Sequence, residues 1–313
     1  MLARAKGGVE LKNFLLFGPA DATEDFRVYE PMVRNSTAAR SLYEEFADSA
    51  GIPVGRLIDG EVPSFHPVLL RWLKQLAGML AVARVLEEDH GAASLYGGIS
   101  LGELAALRAS GAITTEFVVK FLHERHLQDV DREEAIGFAF VPASQDWRYY
   151  EQPERMTVSC DYGPVLGGAG RMIMVSGLRS ALESARTEGP ADLQVVDRAL
   201  AHQAYHSPFR EPGRQRLESL LKRSTLERPA TPVVTSIPGR YTVSSGAEAA
   251  DALVASETQP LDVPGLVEAS RSHAPGRAYV ISSFLRQLEI DFHAPTEYVD
   301  DVWLERKFGR TSP

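Results

Sequence analysis

The chain has 313 residues, enough for one large domain or for a core domain with a smaller one. With 33 basic and 42 acidic residues the net charge is −9, which argues against nucleic acids and anionic membranes as main partners. Cys160 is the only cysteine, which excludes a disulfide framework and a cysteine-based metal site. No apolar run has the length of a bilayer span, and residues 1–10 lack the apolar core of a signal peptide, so we expect a cytoplasmic protein.

The first predicted elements alternate between strands and helices. Asn13 to Phe17 is a short apolar strand, and a loop follows it. His66 to Glu88 has apolar residues at helical spacing, which predicts a long and largely buried helix. A strand over 92–96 and helices over 103–109 and 115–127 come next. This order favours an α/β fold with a parallel sheet.

Beyond Val130 the pattern changes to short strands with a helix between them. Strands are predicted over 135–141, 156–159, 171–176 and 193–196, with a helix over 178–186. Such a series is typical of a small α+β subdomain inserted into a larger one. We therefore expect a small subdomain over 132–197 and a large subdomain built from 1–131 and 198–313.

A serine flanked by two glycines lies between the second predicted strand and the helix after it. Gly98 and Gly102 stand two residues before and two residues after Ser100. This pattern can form a sharp strand-to-helix turn that exposes the hydroxyl and directs helix N-terminal amides at an oxyanion. It is typical of a serine nucleophile, and the alternative is a glycine-rich turn with a solvated serine.

A histidine that can serve as the base for this serine lies just after the inserted segment. His206 precedes a Ser-Pro pair, and histidine is the usual base because its ordinary pKa lies near neutral pH. The group that orients it stays open. Asp161, Asp192 and Asp197 all lie between Ser100 and His206 in the chain, and a backbone carbonyl is the other candidate.

Taken together, the motifs resemble the malonyl-CoA:acyl-carrier-protein transacylases and the acyltransferase domains of polyketide synthases. That family has a Gly-His-Ser-Leu-Gly-Glu motif, matched by 98–103, and an Ala-Phe-His-Ser-Pro motif, matched by 204–208. Its arginine 25 residues after the serine corresponds to Arg125, and its Val-Ile-Ser-Gly strand end resembles 174–177. The resemblance implies an α/β-hydrolase-like large subdomain with a parallel sheet and an inserted ferredoxin-like small subdomain.

The resemblance also implies a ping-pong acyl transfer. Ser100 would attack an acyl-CoA or other acyl thioester with His206 as base, and the thiol of an acyl carrier protein would then remove the acyl group, as in polyketide biosynthesis. Arg125 would pair with the free carboxylate of a malonyl-type group, which is therefore the favoured acyl group. Tyr205 and Gln203 would contact the acyl group. No cofactor or metal is implied, and a monomer is expected.

Two departures from the family pattern concern the same site. Ile99 replaces the histidine that usually precedes the nucleophile, which makes the acyl pocket more apolar. The family's N-terminal Gly-Gln-Gly-Ser-Gln loop is replaced by residues 18–22. Leu101 would supply one oxyanion N–H. The second donor would be Ala20, unless the register places Pro19 there, which has no N–H.

Three questions remain open from the sequence: the role of Arg125, the activity of the protein and the role of a basic cluster. Arg125 could instead form an ion pair on a solvated helix face, with Glu124, His126 or Asp129 as partner. The protein could be a hydrolase that releases acyl groups from carrier proteins, or an inactive scaffold that only binds a carrier protein. A basic cluster could dock an acidic carrier protein or form a solvated helix face; it comprises Arg210, Arg214, Arg216, Lys222 and Arg223.

Overall fold

A computed structural model describes residues 12–21, 24–63, 65–126 and 133–309. The strands are β1 Asn13–Phe17, β2 Ala93–Gly98, β3 Glu134–Pro142, β4 Met156–Val165, β5 Gly170–Leu178, β6 Leu193–Val195, β7 Val233–Thr235, β8 Thr242–Val243, β9 Leu261–Asp262, β10 Arg277–Ile281 and β11 Thr296–Val299. The helices are α1 Glu30–Asn35, α2 Thr37–Ala50, α3 Val54–Ile58, α4 Pro67–His90, α5 Leu101–Ala109, α6 Thr115–His126, α7 Arg179–Glu188, α8 Glu211–Leu221, α9 Gly246–Thr258, α10 Val263–Arg271, α11 Ser283–Arg286 and α12 Asp301–Phe308.

The larger sheet has the strand order β11-β10-β1-β2-β7-β8. The pairs from β11 to β7 are parallel, and β8 is antiparallel to β7. All five residues of β1 are buried, as expected for a central strand of a parallel sheet with both faces covered. The predicted parallel sheet is therefore confirmed, and β1 and β2 lie next to each other at its centre.

The longest helix, α4, forms one wall of the core. It begins after His66, whose Nδ1 accepts the N–H of Val68, and Pro67 occupies its first turn, where no N–H is needed. Its side chains are buried through most of its length, and it packs against α2 and α5. The helix predicted over 66–88 is thus confirmed. The predicted end of the later helix, Leu127, lies outside the described residues.

The smaller sheet contains the four strands of the predicted insertion in the antiparallel order β6-β3-β5-β4. This order is compatible with a ferredoxin-like subdomain, but a single 3-10 turn, Trp147–Tyr150, stands where that fold has its first helix. The short strand β9, from outside 132–197, extends the sheet alongside β4. The exact subdomain boundaries stay a prediction. In the described part of the chain, no helix has the length and apolar composition of a membrane span.

Candidate active site

Ser100 lies on a strained turn between β2 and α5. Its backbone has φ 57° and ψ −114°, a conformation that non-glycine residues rarely adopt. Gly98 and Gly102 are both required by the close approach of backbone atoms. A Cβ at Gly98 would lie 2.3 Å from the carbonyl oxygen of Gly102, and a Cβ at Gly102 would lie 2.2 Å from the carbonyl oxygen of Phe17. The two glycines of the motif therefore have a steric role at this turn.

The helix that follows Ser100 is held to the carboxyl end of β7 by a buried carboxylate. Glu103 accepts hydrogen bonds from the Ser236 hydroxyl at 2.8 Å and from the Ser236 N–H at 3.3 Å. Burial raises the pKa of Glu103 to about 7, although these hydrogen bonds act in the opposite direction. The first turn of α5 is thus held against the sheet that carries the serine.

His206 makes direct contact with the serine. The Ser100 Oγ lies 2.7 Å from His206 Nε2, and the backbone carbonyl of Ser256 contacts Nδ1 of the same ring. Because a carbonyl oxygen only accepts, the proton is on Nδ1, and Nε2 is free to accept the serine proton. Of the orienting groups left open by the sequence, the structure selects the backbone carbonyl. Asp161 is paired with Arg171 instead.

The loop that carries His206 is held by two side chains of the small sheet. Glu134 accepts the N–H of Ala204 at 2.9 Å, and the Ser176 hydroxyl donates to the Tyr205 carbonyl at 2.7 Å. His206 itself has φ 55°, so its backbone is strained as well. The small subdomain therefore contributes directly to the position of the histidine.

Burial and charge keep the His206 ring neutral. Burial lowers its pKa, and the nearby positive charge of Arg125 lowers it further, to about 3. The Ser256 carbonyl and Glu257 act weakly in the opposite direction. At neutral pH the ring is therefore a proton acceptor with no need to lose a proton first.

Among residues 18–21, the described start of the loop after β1, one N–H is left for an oxyanion. Gln75 holds both sides of Ala20: its Nε2 donates to the Pro19 carbonyl at 3.2 Å, and its Oε1 accepts the Asp21 N–H at 3.1 Å. The Gly18 N–H bonds to Ile281 at 3.1 Å, and Pro19 has none. Among the described residues the Ala20 N–H has no partner.

Leu101 starts α5, so its N–H has no acceptor within the helix. The carbonyl oxygen of Phe17, at the end of β1, accepts the N–H of Ile99 at 3.1 Å. The two predicted oxyanion donors, Leu101 and Ala20, thus belong to segments that pack against each other. Their use as donors stays a prediction.

Arg125 is not on a solvated helix face. It is 5% exposed, and its Nε lies 3.0 Å from Oε2 of Glu257, which is fully buried. Arg210 pairs with the other oxygen of Glu257 through Nε at 2.8 Å and Nη2 at 2.5 Å. The solvated alternative for Arg125 is therefore wrong, and Asp129, one of its candidate partners, lies outside the described residues.

The other predicted acyl-binding residues, Tyr205, Gln203 and Ile99, are all buried. The Tyr205 ring lies 5.4 Å from the Arg125 guanidinium and 5.8 Å from that of Arg210. In the described part of the chain, the Tyr205 hydroxyl and both polar atoms of the Gln203 amide have no hydrogen-bond partner. Ile99 is fully buried. Contact of these side chains with an acyl group stays a prediction.

Two charged residues of this site were missed or misjudged from the sequence. Glu257 follows Ser256 at the end of α9, and a lone acidic residue after the run Ala-Leu-Val-Ala was the available signal. Arg210 was placed in the basic cluster, but it is 2% exposed and belongs to the site. By contrast Arg214 pairs with Glu211 and Glu218 on α8, as the solvated-face alternative predicts.

Comparison with known proteins gives matches among solved structures. A scan against protein-family models and a search of curated proteins found none. A malonyl-CoA:acyl carrier protein transacylase from Helicobacter pylori has a TM-score of 0.79 at 18% identity, over 96% of this chain and 98% of that one. A malonyl-transacylase in complex with its type II polyketide synthase acyl carrier protein has a TM-score of 0.79 at 18% identity, over 96% of this chain and 100% of that one. The acyltransferase domain of the second module of the salinomycin polyketide synthase has a TM-score of 0.74 at 16% identity, over 93% of this chain and 69% of that one.

The chain is thus a mixed α/β protein with a serine on a strand-to-helix turn and a histidine hydrogen-bonded to that serine. Its fold is that of malonyl-CoA:acyl carrier protein transacylases and polyketide synthase acyltransferase domains. The resemblance drawn from the motifs is confirmed at the level of the fold.

Proposed function

We propose that the protein is an acyltransferase that moves an acyl group from a thioester donor to an acyl carrier protein through an acyl-enzyme on Ser100. The observation that carries the proposal is the 2.7 Å contact between Ser100 Oγ and His206 Nε2, with Nδ1 held by a backbone carbonyl. This arrangement supports the proposal because, on the fold of known transacylases, Ser100 would act as nucleophile, His206 as base and the carbonyl as its orienting group.

In the proposed first step, Ser100 Oγ attacks the thioester carbonyl while His206 Nε2 accepts its proton. The tetrahedral oxyanion would be stabilised by the N–H groups of Leu101 and Ala20. His206 then gives the proton to the departing thiolate, which leaves as a thiol, and an ester remains on Ser100. In the second step the carrier-protein thiol attacks this ester, His206 accepts the thiol proton, and the proton returns to Ser100. No cofactor takes part in these steps.

The partner and the setting are part of the same proposal. A structural neighbour is a transacylase in complex with a polyketide synthase acyl carrier protein, which supports a carrier protein as the acceptor and polyketide assembly as the setting. The resemblance implies a malonyl-type acyl group, and Arg125, at the position that would bind its carboxylate, is buried beside Tyr205 and paired with Glu257. A hydrolase or an inactive scaffold on the same fold would lack this transfer.

The proposal is tested by the intact mass of the protein after incubation with a panel of acyl-CoA donors. We expect one acyl adduct on the native protein, none on Ser100→Ala, and loading slowed about 10²- to 10⁴-fold in His206→Ala because the base is lost. Ser219→Ala, an exposed position on α8, is the control and should load normally. An adduct of equal yield on Ser100→Ala would contradict the proposal.

A second measurement separates transfer from hydrolysis. The loaded protein is mixed with buffer or with a holo acyl carrier protein, and loss of the adduct is followed with time. Transfer predicts faster loss with the carrier protein, together with a matching mass gain on the carrier. Equal rates in both conditions would favour the hydrolase, and no adduct with any donor would favour the scaffold.

A further inference from the structure

The cluster of Arg125, Glu257 and Arg210 bears on which acyl group the site accepts. Glu257 is fully buried and lies between the two arginines, so its charge is balanced by them and not by water. Arg210 binds one of its oxygens twice and also donates to the Arg125 carbonyl at 3.3 Å. Glu257 is thus fixed in place, and its other oxygen faces the Nε of Arg125.

A carboxylate binds arginine most strongly through two parallel N–H groups on one edge of the guanidinium. On the edge formed by Nε and Nη2 of Arg125, Nε forms an ion pair with Glu257 Oε2 at 3.0 Å, although neither of these two atoms makes a hydrogen bond among the described residues. The Nη2 atom is buried and has no hydrogen-bond partner in the described part of the chain. A substrate carboxylate on this edge would therefore meet the carboxylate of Glu257.

The charges around the pocket are also balanced without a substrate. Four charged groups act on the Tyr205 hydroxyl: Arg210 and Arg125 lower its pKa, and Glu257 and Glu134 raise it, while burial is the main cause of its raised value. Two cations and two anions in one buried region leave no net positive charge for a further anion. Because an unpaired buried carboxylate is strongly disfavoured, this balance favours an uncharged ligand.

We propose that Glu257 is a specificity-determining residue that occupies Arg125 and restricts the site to uncharged acyl groups, in place of the malonyl-type group that the resemblance implies. This inference rests on the proposed function. Glu257 acts through Arg125 and not on the reacting atoms, so it is a positioning residue.

The test compares kcat/KM for loading of malonyl-CoA with that for acetyl-CoA and butyryl-CoA. We expect the native protein to favour the uncharged donors. In Glu257→Gln the malonyl-to-acetyl ratio should rise by about tenfold or more, as when a buried charge-assisted hydrogen bond is gained, mainly through a lower KM for malonyl-CoA. Asp251→Asn removes the same charge from the exposed face of α9 and should leave the ratio unchanged.

A second variant covers the case in which Glu257→Gln does not fold. The double variant Arg210→Met with Glu257→Met removes one buried charge of each sign, so it leaves one buried cation, Arg125, without a partner where Glu257→Gln leaves two. It should show the same rise in the ratio. A native preference for malonyl-CoA, or an unchanged ratio in a folded variant, would overturn this inference while the Ser100 adduct still supports acyl transfer. Failure to form any adduct would instead overturn the proposed function.

Discussion

Replacing Gly102 with alanine tests whether the serine turn depends on the contact between α5 and the end of β1. The new Cβ would lie 2.2 Å from the carbonyl oxygen of Phe17 and 2.6 Å from that of Gly18. Cβ atoms essentially never come within 3.0 Å of another heavy atom, so the gap to Phe17 must widen by about 0.8 Å. Both sides of the contact are backbone, and neither can turn away as a flexible side chain could.

The magnitude follows from two terms. Overpacking of this kind costs about 1 to 3 kcal/mol. Widening the gap also weakens the hydrogen bond from the Ile99 N–H to Phe17, now 3.1 Å long, which is worth about 1 kcal/mol. We expect the free energy of unfolding to fall by about 2 to 4 kcal/mol. Loading of Ser100 should slow by about 10²-fold, because the oxyanion donors on the two segments move apart.

Urea denaturation followed by circular dichroism measures the first effect, and the time course of the intact-mass adduct measures the second. Gly55→Ala is the matched control, since nothing lies within 4 Å of its new Cβ and alanine suits its helix α3. That control should be neutral or slightly stabilising and should load normally. If Gly102→Ala matches the control in both measurements, the steric account of the turn is wrong.

Three further predictions concern the histidine. Ser176→Ala should lower the free energy of unfolding by about 1 to 3 kcal/mol and slow loading, since the buried Tyr205 carbonyl loses its 2.7 Å donor; unchanged denaturation and loading would contradict this. Asp197→Asn should load within about twofold of the native rate, because the Ser256 carbonyl and not a carboxylate orients His206; a loss near 10⁴-fold would instead assign the orienting role to Asp197. The pH profile of kcat/KM should show no inflection from His206 between pH 8 and about pH 5, because burial holds the pKa of His206 at about 3; any inflection near pH 7 should be lost in Glu103→Gln, since burial raises the pKa of that carboxyl to about 7, and an inflection near pH 6.5 that persists in this variant would refute the prediction.

The serine and the histidine could be predicted from the sequence because both lie in short, ordered motifs whose spacing reflects the fold. The glycines around Ser100 are dictated by local backbone contacts, so they are visible in six residues of sequence. Strands β1 to β6 were predicted because they form short apolar runs in the sequence, whereas strands β8 to β11 were not predicted. The region between β1 and α4 was predicted only as a loop, although Ser36 and Gly51 mark the two ends of α2.

The charge cluster could not be predicted because its members are far apart in the chain. Arg125, Arg210 and Glu257 come from α6, from the 3-10 turn before α8, and from α9, and only the fold brings them together. From local sequence patterns, Arg210 was assigned to the basic cluster and Glu257 was not identified. An arginine in a basic stretch is indistinguishable, by its neighbours, from one that is 2% exposed and paired. The hydrogen bonds on both sides of the Ala20 N–H likewise come from Gln75, which is distant in sequence.

The contact between His206 Nδ1 and the Ser256 carbonyl has a consequence for tolerance to mutation. The atom that orients the ring belongs to the main chain, so it is the same for every amino acid at that position. The Ser256 hydroxyl donates to the Leu253 carbonyl at 3.1 Å, in the preceding turn of α9, so it belongs to a hydrogen bond separate from the contact with His206. Position 256 can therefore accept any small residue that preserves the end of α9, and no single side-chain replacement there removes the orienting group. The orientation of the His206 ring thus depends on the backbone of residue 256 and not on the identity of its side chain.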